Sequence, residues 1–595
     1  MKFPFLLAAS MLCASPVAAQ EYRERLPQDE IIYFVLPDRF DNGDPSNDRG
    51  GIAGSRLEHG YDPTARGFYN GGDLAGLTSR LDYLQDMGIT AIWFAPIFKN
   101  KPVQGPPGQE SAGYHGYWVT DFTSIDPHFG TNEEFKAFVD AAHGRGMKVY
   151  MDIITNHTAD VIKYRDGGDY SYRSKADYPY STRGGVEGAR INEGFLGDNV
   201  QTIENFAKLT DPDYAYDVMV PPGEEGVKVP AWLNDPIYYH NRGDTVFYGE
   251  DSLYGDFVGL DDLFTENPLV VGGMIDIFGS WIDRFGIDGF RIDTARHVNP
   301  EFWQQFVPAM EARSEAAGIP NFHMFGEVYA DVPDNGYIAQ YTRRDGFPAV
   351  LDFAFQAAVR EVLGRGKGTG VMARLFAGDT LYRGGTEAAK ALPTFLGNHD
   401  MGRFSGLMKE DMPDISQDEL LARVMLGHAM LMTLRGSPTI YYGDEQGFVS
   451  DGNDQLARET LFPSRVAEYN DNDLIGSDAS VADDNFDPAH PLYAELKALA
   501  SIRTASAALR RGDQMTRFYQ DTPGLFAVSR FDPESGTETL LLFNTSTEAI
   551  EGQVEVDMTS TSFAALRGDC AAQVSAPGSL SYALAPLSYA ICEAR

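Results

Sequence analysis

The stretch "IDGFRIDTARH", residues 287–297, places charged side chains in a segment whose other residues are typical of a buried β-strand. Charged groups are rarely buried without a partner. Arg291 and Asp293 are two positions apart, so on a strand their side chains point to the same face. The stretch therefore predicts a buried strand that ends in a polar functional site.

Seven further runs of β-branched and aromatic residues accompany this stretch. They begin at residues 31, 88, 147, 323, 348, 392 and 437. Amphipathic helical stretches such as "NEEFKAFVDAAHGRG" lie between most of them. This alternation is typical of parallel βα units, and eight such units close into a (β/α)₈ TIM barrel. In a barrel of this kind the active site lies at the carboxyl ends of the strands.

Two regions interrupt the alternation. Residues 158–258 are rich in Tyr, Gly, Asp and Pro and are too long for a plain loop, so we predict an inserted domain after the third strand. From residue 508 the helical pattern stops, and short alternating runs predict a C-terminal antiparallel β-sandwich domain over 508–595. The predicted barrel comprises residues 20–157 and 259–507.

The N-terminal segment and the composition indicate an exported protein. Residues 1–19 combine a Lys, an apolar run and small residues before a cleavage position after Ala19, which is the pattern of a secretory signal peptide. No later apolar run reaches the length of a membrane helix. We therefore expect a monomer without a membrane span, in the periplasm or the medium. The net charge of −38 repels phosphate backbones and argues against nucleic acid as a partner.

Two cysteines remain in the mature chain, Cys570 and Cys592, and both lie in the predicted C-terminal domain. A disulfide persists in an oxidising compartment, so we expect them to be bonded to each other. Two unpaired thiols packed as small apolar groups are the alternative.

Further polar residues occupy the predicted strand ends. His157 follows the third strand, Glu327 the fifth, and His399 and Asp400 the seventh. Glycoside hydrolysis needs one carboxylate that stays ionised and a second that holds a proton for the leaving oxygen. Asp400 is a third carboxylate, suited to binding sugar hydroxyls.

The predicted surroundings assign different roles to the first two carboxylates. Arg291 should keep Asp293 ionised, as a nucleophile requires. Phe325 and Tyr329 lie on the same predicted strand face as Glu327, and an apolar wall raises the pKa of a general acid. The residues therefore predict a nucleophile at 293 and an acid at 327.

The chain resembles the α-amylase family, glycoside hydrolase family thirteen. The motifs "DIITNH", "GFRIDTARH", "GEVY" and "FLGNHD" occur in the family's order, together with "GLDDL" and "YHGYW". The resemblance covers nearly all of the mature sequence. It implies a retaining mechanism with Asp293 as nucleophile, Glu327 as general acid/base and Asp400 as transition-state stabiliser. The sugar-binding residues that it implies are Tyr117, His157, Arg291 and His399 around the cleaved sugar, and Arg296 and His297 on the leaving side.

The resemblance also implies calcium at one or two sites. The acidic turn "DNGDPSND", residues 41–48, offers the hard oxygen ligands that Ca²⁺ prefers, although such a turn alone is more often a solvated loop. With "YNGGD" it resembles a calcium site of cyclodextrin-handling members. The implied ligands there are Asn42, Asp44, Asn47, Asp48, Asp73 and the carbonyl of Gly71. A second site, between barrel and insert, would use Asn156, Asp262 and the carbonyl of His297, with its remaining ligand unassigned.

These features predict a secreted hydrolase that cleaves α-1,4-glucosidic bonds of starch and maltooligosaccharides by endo-type action. The alternatives are an exo-acting α-glucosidase, a cyclomaltodextrinase or maltogenic hydrolase, and a transglycosylase. A non-catalytic glycan-binding role is more remote, because all three carboxylates are present. Arg296 replaces the Lys of many α-amylases, and the two cations are not interchangeable. The chain ends after one β domain, without the starch-binding modules of cyclodextrin-forming transferases, which favours a simple hydrolase.

Overall fold

Eight parallel strands form the central sheet of the computed structural model, which describes residues 21–165 and 170–595. The predicted signal peptide at residues 1–19 lies outside the described residues. The strands are β1 (Ile32–Val35), β2 (Ala91–Phe94), β3 (Lys148–Ile153), β4 (Gly289–Ile292), β5 (His323–Gly326), β6 (Ala349–Val350), β7 (Pro393–Thr394) and β8 (Ser437–Tyr441). Each lies within one of the eight runs found in the sequence, so the predicted TIM barrel is confirmed.

The strands pair in the order β6-β5-β4-β3-β2-β1-β8-β7. Between the two ends of this order, the N–H of Asp352 donates to the carbonyl oxygen of Pro393 at 2.9 Å and brings β6 against β7. In register, Arg291 on β4 lies opposite Asp152 on β3 and Phe325 on β5. The pairing therefore sets an arginine and a carboxylate side by side near the carboxyl ends of neighbouring strands.

Helices cover the outside of the barrel. They are α1 (Leu81–Met87), α2 (Asn132–Gly144), α3 (Pro268–Phe285), α4 (Pro300–Ala316), α5 (Asn335–Arg344), α6 (Phe353–Leu363), α7 (Gln417–Thr433) and α8 (Pro491–Ala505), with further helices at Leu74–Ser79, Gly370–Ala377, Phe404–Asp411 and Ala507–Arg511. In α2 the buried residues recur at helical spacing, and Thr131 with Glu134 forms a capping box at its start. Amphipathic spacing and side-chain caps thus place these helices where the sequence predicts them.

One predicted strand is much shorter than its apolar run. The run that begins at residue 348 continues through Phe355, yet only Ala349–Val350 pairs in the sheet. The carboxylate of Asp352 accepts a hydrogen bond from the N–H of Phe355 at 3.0 Å and caps α6, which begins at Phe353. A helix cap therefore outweighs the strand propensity of the aromatic residues that follow it.

The insert leaves and re-enters the barrel through a two-stranded antiparallel ladder. His157–Thr158 pairs with Asp261–Asp262, so the two ends of the insert are neighbours. The insert has an apolar cluster of its own, rich in tyrosine and phenylalanine. The exact bounds assigned to it, residues 158–258, stay a prediction.

The C-terminal part is built from antiparallel sheets, as predicted. One sheet has the order β9 (Asp513–Phe518), β10 (Leu525–Phe531), β11 (Glu538–Asn544), β15 (Tyr589–Ala594), β13 (Phe563–Arg567), and a second pairs β12 (Ile550–Glu555) with β14 (Ser579–Leu584). A disulfide joins Cys570 to Cys592. Across the described ranges, no helix combines the length and apolarity needed to cross a bilayer.

Candidate active site

Arg291 is the centre of a buried group of carboxylates at the ends of β3, β4 and β5. Its Nη1 donates to Asp152 Oδ1 at 2.9 Å and to Asp293 Oδ1 at 2.8 Å. Its Nη2 lies 3.0 Å from Glu327 Oε1. One permanent cation therefore binds three carboxylates, which leaves an excess of negative charge when all three are ionised.

Burial is the main cause of raised pKa values at two of these carboxylates, Asp152 and Asp293. Burial raises the pKa of Asp293 well above its ordinary range; Arg291 lowers it, but Glu327 and Asp152 raise it further. Burial also raises the pKa of Asp152 to about 7, against the opposing effect of Arg291. That Arg291 keeps Asp293 ionised stays a prediction, and the cation that would do so is shared with Asp152 and Glu327. The raised pKa values of Asp152 and Asp293 favour their protonated forms relative to exposed carboxylates.

Glu327 has two polar contacts at the end of β5, one with Arg291 and one with the backbone of Thr294. Its Oε2 accepts a hydrogen bond from the N–H of Thr294 at 3.0 Å. Thr294 has a φ of 47°, which is unusual for a β-branched residue, and this turn directs its N–H at the carboxylate. β5 ends at Gly326, so the alternation of strand faces does not extend to Glu327 and Tyr329, and the apolar wall beside Glu327 stays a prediction.

The three carboxylates selected from the sequence share one cavity of about 350 Å³. Its wall includes Asp293, Glu327 and Asp400 together with Tyr117 and His157. The side chains of Asp293 and Glu327 are 9% and 12% exposed, whereas that of Asp400 is 41% exposed. A concave polar site of this size suits a small part of a substrate, and Asp400 is the carboxylate most open to it.

Tyr117 and His157 belong to this wall, and a second histidine, His399, lies behind it. The hydroxyl of Tyr117 lies 2.9 Å from His399 Nε2 and donates to Asp152 Oδ2 at 3.2 Å, so His399 stands behind the tyrosine. Burial lowers the pKa of His157 to about 3 and that of His399 well below its ordinary value. His157 Nε2 is buried without a hydrogen-bond partner. A neutral ring nitrogen of this kind is suited to a sugar hydroxyl.

Arg296 and His297 lie beside the cavity and not on its wall. Arg296 Nε donates to His297 Nε2 at 3.1 Å, and His297 Nδ1 lies 2.8 Å from the carbonyl oxygen of Ser252 in the insert. The imidazole also packs edge to face against Phe257. These contacts join the barrel to the insert, and the predicted contact of both residues with sugar stays a prediction.

The remaining wall residues received no role from the sequence, although His115, Trp118, Leu260 and Thr294 lie within its motifs. They are Gln104, Ser111, His115, Trp118, Phe257, Val258, Leu260, Thr294, Asp454, Gln455 and Arg458. Arg458 donates through Nε to the carbonyl oxygen of His399 at 3.0 Å, and its Nη2 lies 3.3 Å from Asp400 Oδ1. Arg458 lies well beyond the end of β8 in the chain, so its position gives no strand-end signal.

The acidic turn over residues 41–48 gathers several of the predicted calcium ligands. Asn42 Nδ2 donates to Asp48 Oδ1 at 2.9 Å, and a Cβ added to Gly71 would lie only 2.5 Å from Asn42 Nδ2. The Oδ1 atoms of Asn42 and Asn47 are buried without a hydrogen-bond partner. Unpaired buried oxygens beside a carboxylate fit a hard cation, since their burial is otherwise unfavourable.

The remaining predicted ligands have other partners. Asp73 accepts hydrogen bonds from the N–H groups of Gly43, Asp44 and Gly76, and so caps the helix Leu74–Ser79. Asp44 accepts from the N–H of Ser46 at 3.0 Å. Both carboxylates therefore shape the turn, whatever else they bind.

The second predicted calcium site brings together two of its ligands. The side chain of Asn156 is hydrogen-bonded to Asp262, whose Oδ2 lies 2.6 Å from His240 Nδ1. In the described part of the chain, no three side chains of His, Cys, Asp and Glu are grouped to hold a metal. Both predicted sites thus depend on amide and carbonyl oxygens in addition to carboxylates.

The family model of the α-amylase catalytic domain matches residues 34–490, from within β1 to the residue before α8. The chain belongs to the α-amylase family. An α-amylase of Streptomyces lividans is 46% identical over 493 residues, which are 83% of this chain and 53% of that protein. The chain therefore spans about half the length of this α-amylase-family relative.

Solved structures of α-amylase-family proteins resemble the chain over nearly its whole length. The α-amylase of Geobacillus thermoleovorans, solved with acarbose, is 27% identical with a TM-score of 0.66 and covers 96% of this chain and 99% of its own. A cyclomaltodextrin glucanotransferase with a three-domain ABC distribution is 26% identical with a TM-score of 0.71 and covers 95% and 99%. A transferase can thus consist of three domains, so the absence of further modules does not distinguish a hydrolase from a transferase.

Proposed function

We propose that this α-amylase-family protein hydrolyses α-1,4-glucosidic bonds of starch and maltooligosaccharides and retains the anomeric configuration. The cavity in which Asp293, Glu327 and Asp400 meet carries the proposal. Asp293 and Glu327 bind the same guanidinium, that of Arg291. This arrangement favours the short carboxyl separation of retaining enzymes, about 5–5.5 Å.

In the proposed mechanism Asp293 attacks the anomeric carbon while Glu327 gives its proton to the leaving glycosidic oxygen. The bond between sugar and leaving group breaks as the bond to the Asp293 carboxylate forms. Glu327 then takes a proton from water, whose oxygen bonds to the anomeric carbon as the bond to the Asp293 carboxylate breaks, and the sugar leaves with its original anomer. Asp400 holds hydroxyls of the same sugar, and Arg291 keeps both reacting carboxylates in position.

Transglycosylation is a second candidate, and one feature of the cavity favours it. Phe257 and Val258 of the insert form an apolar part of the wall, near Glu327, and Val258 is 73% exposed. An apolar wall disfavours water and offers a surface to an incoming sugar. The same intermediate would then pass to a sugar hydroxyl in place of water.

The deciding experiment is a product analysis with linear glucans. Amylose digestion, followed by iodine colour against reducing ends, should show rapid loss of colour at low conversion if the action is endo. Early products of maltoheptaose should appear as α-anomers by NMR. Glucose or maltose as the sole early product would show exo action, products longer than the substrate would show transfer, and β-anomers would overturn the retaining assignment.

We also propose bound Ca²⁺ and export of the mature chain. The unpaired oxygens of Asn42 and Asn47 support calcium in the turn over residues 41–48. An ion bound there would neutralise clustered oxygens and stabilise the native turn. The signal pattern at residues 1–19 supports export, and N-terminal sequencing of secreted protein, beginning at residue 20, would test it.

A further inference from the structure

A second cavity, of about 600 Å³, lies on the outer wall of the barrel between α3 and the insert. We call it the outer groove. Its wall is largely apolar and includes Trp232 and Tyr238 from the insert and Leu269 and Ile277 from α3. It shares no wall residue with the cavity that holds the carboxylates. The outer groove is therefore a separate site.

Two consecutive glycines, Gly272 and Gly273, lie inside α3 on this wall, although glycine in a helix interior is destabilising relative to alanine. Gly273 has a packing reason, because a Cβ there would lie 2.5 Å from a ring atom of Trp232. Gly272 has none, since its Cβ would meet no atom within 4 Å. The missing side chain at Gly272 therefore keeps space open in the outer groove at a cost in helix stability.

The wall chemistry suits a neutral sugar chain. Trp232 and Tyr238 meet edge to face with centroids 5.6 Å apart, and within the described residues neither the indole N–H nor the phenol hydroxyl has a hydrogen-bond partner. Asp276 and Ser280 add a carboxylate and a hydroxyl. Aromatic faces cover apolar C–H surfaces, and the polar groups bind hydroxyls. Among the described residues, no Lys or Arg lines the outer groove, and this disfavours an anionic ligand.

We propose that the outer groove is a second binding site for α-1,4-glucan and holds one segment of a polymer while another segment enters the catalytic cavity. The inference rests on the proposed function, because the occupant is the enzyme's own substrate. Two weak sites on one molecule bind a long chain more tightly than either site alone. An oligosaccharide too short to reach both sites gains nothing.

The test is adsorption to granular starch, with Gly272→Leu to fill the outer groove. Gly144→Leu is the matched control, because Gly144 is an exposed helical glycine on α2 where a Cβ also meets no atom within 4 Å. All proteins carry Glu327→Gln so that the granules stay intact. We expect Gly272→Leu to weaken adsorption about three- to tenfold and Gly144→Leu to leave it unchanged.

Activity measurements complete the test, with the same leucine variants made in protein that keeps Glu327 unchanged. Gly272→Leu should lower the rate on granular starch and leave kcat/KM on maltotriose unchanged. The proposal would be overturned by unchanged adsorption or by an equal loss in both leucine variants. A change of oligomeric mass without loss of adsorption would also overturn it, because the groove would then be a contact between copies of the chain. Failure of the proposed function is distinct, because the unmutated protein would then release no reducing sugar from maltoheptaose.

Discussion

At Arg291 a single guanidinium binds Asp152, Asp293 and Glu327. Arginine stays charged at any pH the fold survives, so the number of protons in the group is set by the carboxylates. Burial raises the pKa of Asp293, and the charges of Glu327 and Asp152 raise it further against the effect of Arg291. Removing one of those neighbouring charges should therefore make Asp293 easier to ionise.

Replacing Glu327 by Gln should remove the proton donor and keep the site in shape, because a side-chain oxygen can still accept the N–H of Thr294. We expect kcat on maltoheptaose to fall about 10²–10⁴-fold with little change in KM. α-Maltosyl fluoride, whose leaving group needs no proton, should lose far less. Asp331→Asn, an exposed carboxylate nearby in the chain, is the control. Equal losses on both substrates would argue against Glu327 as the acid.

The Asp152→Asn variant tests the shared cation through a pH profile. The charge of Asp152 raises the pKa of Asp293, so its removal should lower that pKa. A nucleophile with a lower pKa stays ionised in more acidic solution, so the acidic limb of kcat/KM should move to lower pH. A shift to higher pH would instead show that Asp152 acts mainly by orienting Arg291, and Asp331→Asn should leave the limb in place.

Which carboxylates form the candidate site could be predicted from the sequence, because each follows a recognisable strand. Their surroundings could not. The turn at Thr294, with its positive φ, supplies the N–H that binds Glu327. The residue types in this stretch do not predict such a turn. Arg458 was missed because it follows β8 by a long irregular segment, and only the closed barrel brings it to Asp400.

At the scale of elements, the spacing of apolar residues and the length of each apolar run determined which strands and helices could be predicted. Strands with long apolar runs, such as β3, were located, whereas β6 contributes only two paired residues because the cap at Asp352 begins a helix. The amphipathic stretch over residues 74–88 reads as a single helical pattern, yet it forms two helices that meet at Arg80. Helix ends depend on local hydrogen bonds that a hydrophobic pattern does not encode.

The calcium turn gives a prediction at this scale. A chelator should lower the melting temperature of the unmutated protein, because an ion bound only to the native state stabilises it by about 2.7 kcal/mol at a hundred times its Kd. Gly71→Ala should abolish the chelator effect, since the new Cβ would meet Asn42 Nδ2 at 2.5 Å. Gly51→Ala is the control, because Gly51 also has positive φ but open space around it.

Calorimetry with and without chelator, together with elemental analysis, measures this effect. A melt that is unchanged in excess chelator, from protein containing no metal, would refute calcium binding at both predicted sites. A chelator effect that survives in Gly71→Ala would leave calcium at the second site, with Asn156 and Asp262, and remove it from the turn.

At the scale of the whole molecule, buried arginines attach the C-terminal sheets to the barrel. Arg530 on β10 donates to the carbonyl oxygen of Thr433 on α7 at 3.0 Å, and Arg503 on α8 donates to that of Leu509, in the short helix before β9, at 3.2 Å. Within the described chain, no residue beyond Arg458 lines the catalytic cavity. The C-terminal sheets therefore contribute stability and leave the chemistry to the barrel and insert.

Removing the disulfide should consequently lower stability and spare activity. The bond joins residues 22 positions apart, and opening a loop of that length costs about 3 kcal/mol. We expect Cys570→Ser combined with Cys592→Ala to show that loss in denaturant unfolding, with unchanged kcat/KM below the melt. Two free thiols titrated in denatured, unreduced, unmutated protein would show that the bond does not form.

The ladder between His157–Thr158 and Asp261–Asp262 has a consequence for how such a protein changes over time. Because the ends of the insert are fastened side by side, the chain between them can lengthen, shorten or be exchanged without pulling on β3 to β5, and the entropic cost of extra length grows only slowly. The insert can thus change in length and sequence with little effect on the barrel. New substrate preferences can evolve there while the bond-breaking apparatus is inherited intact.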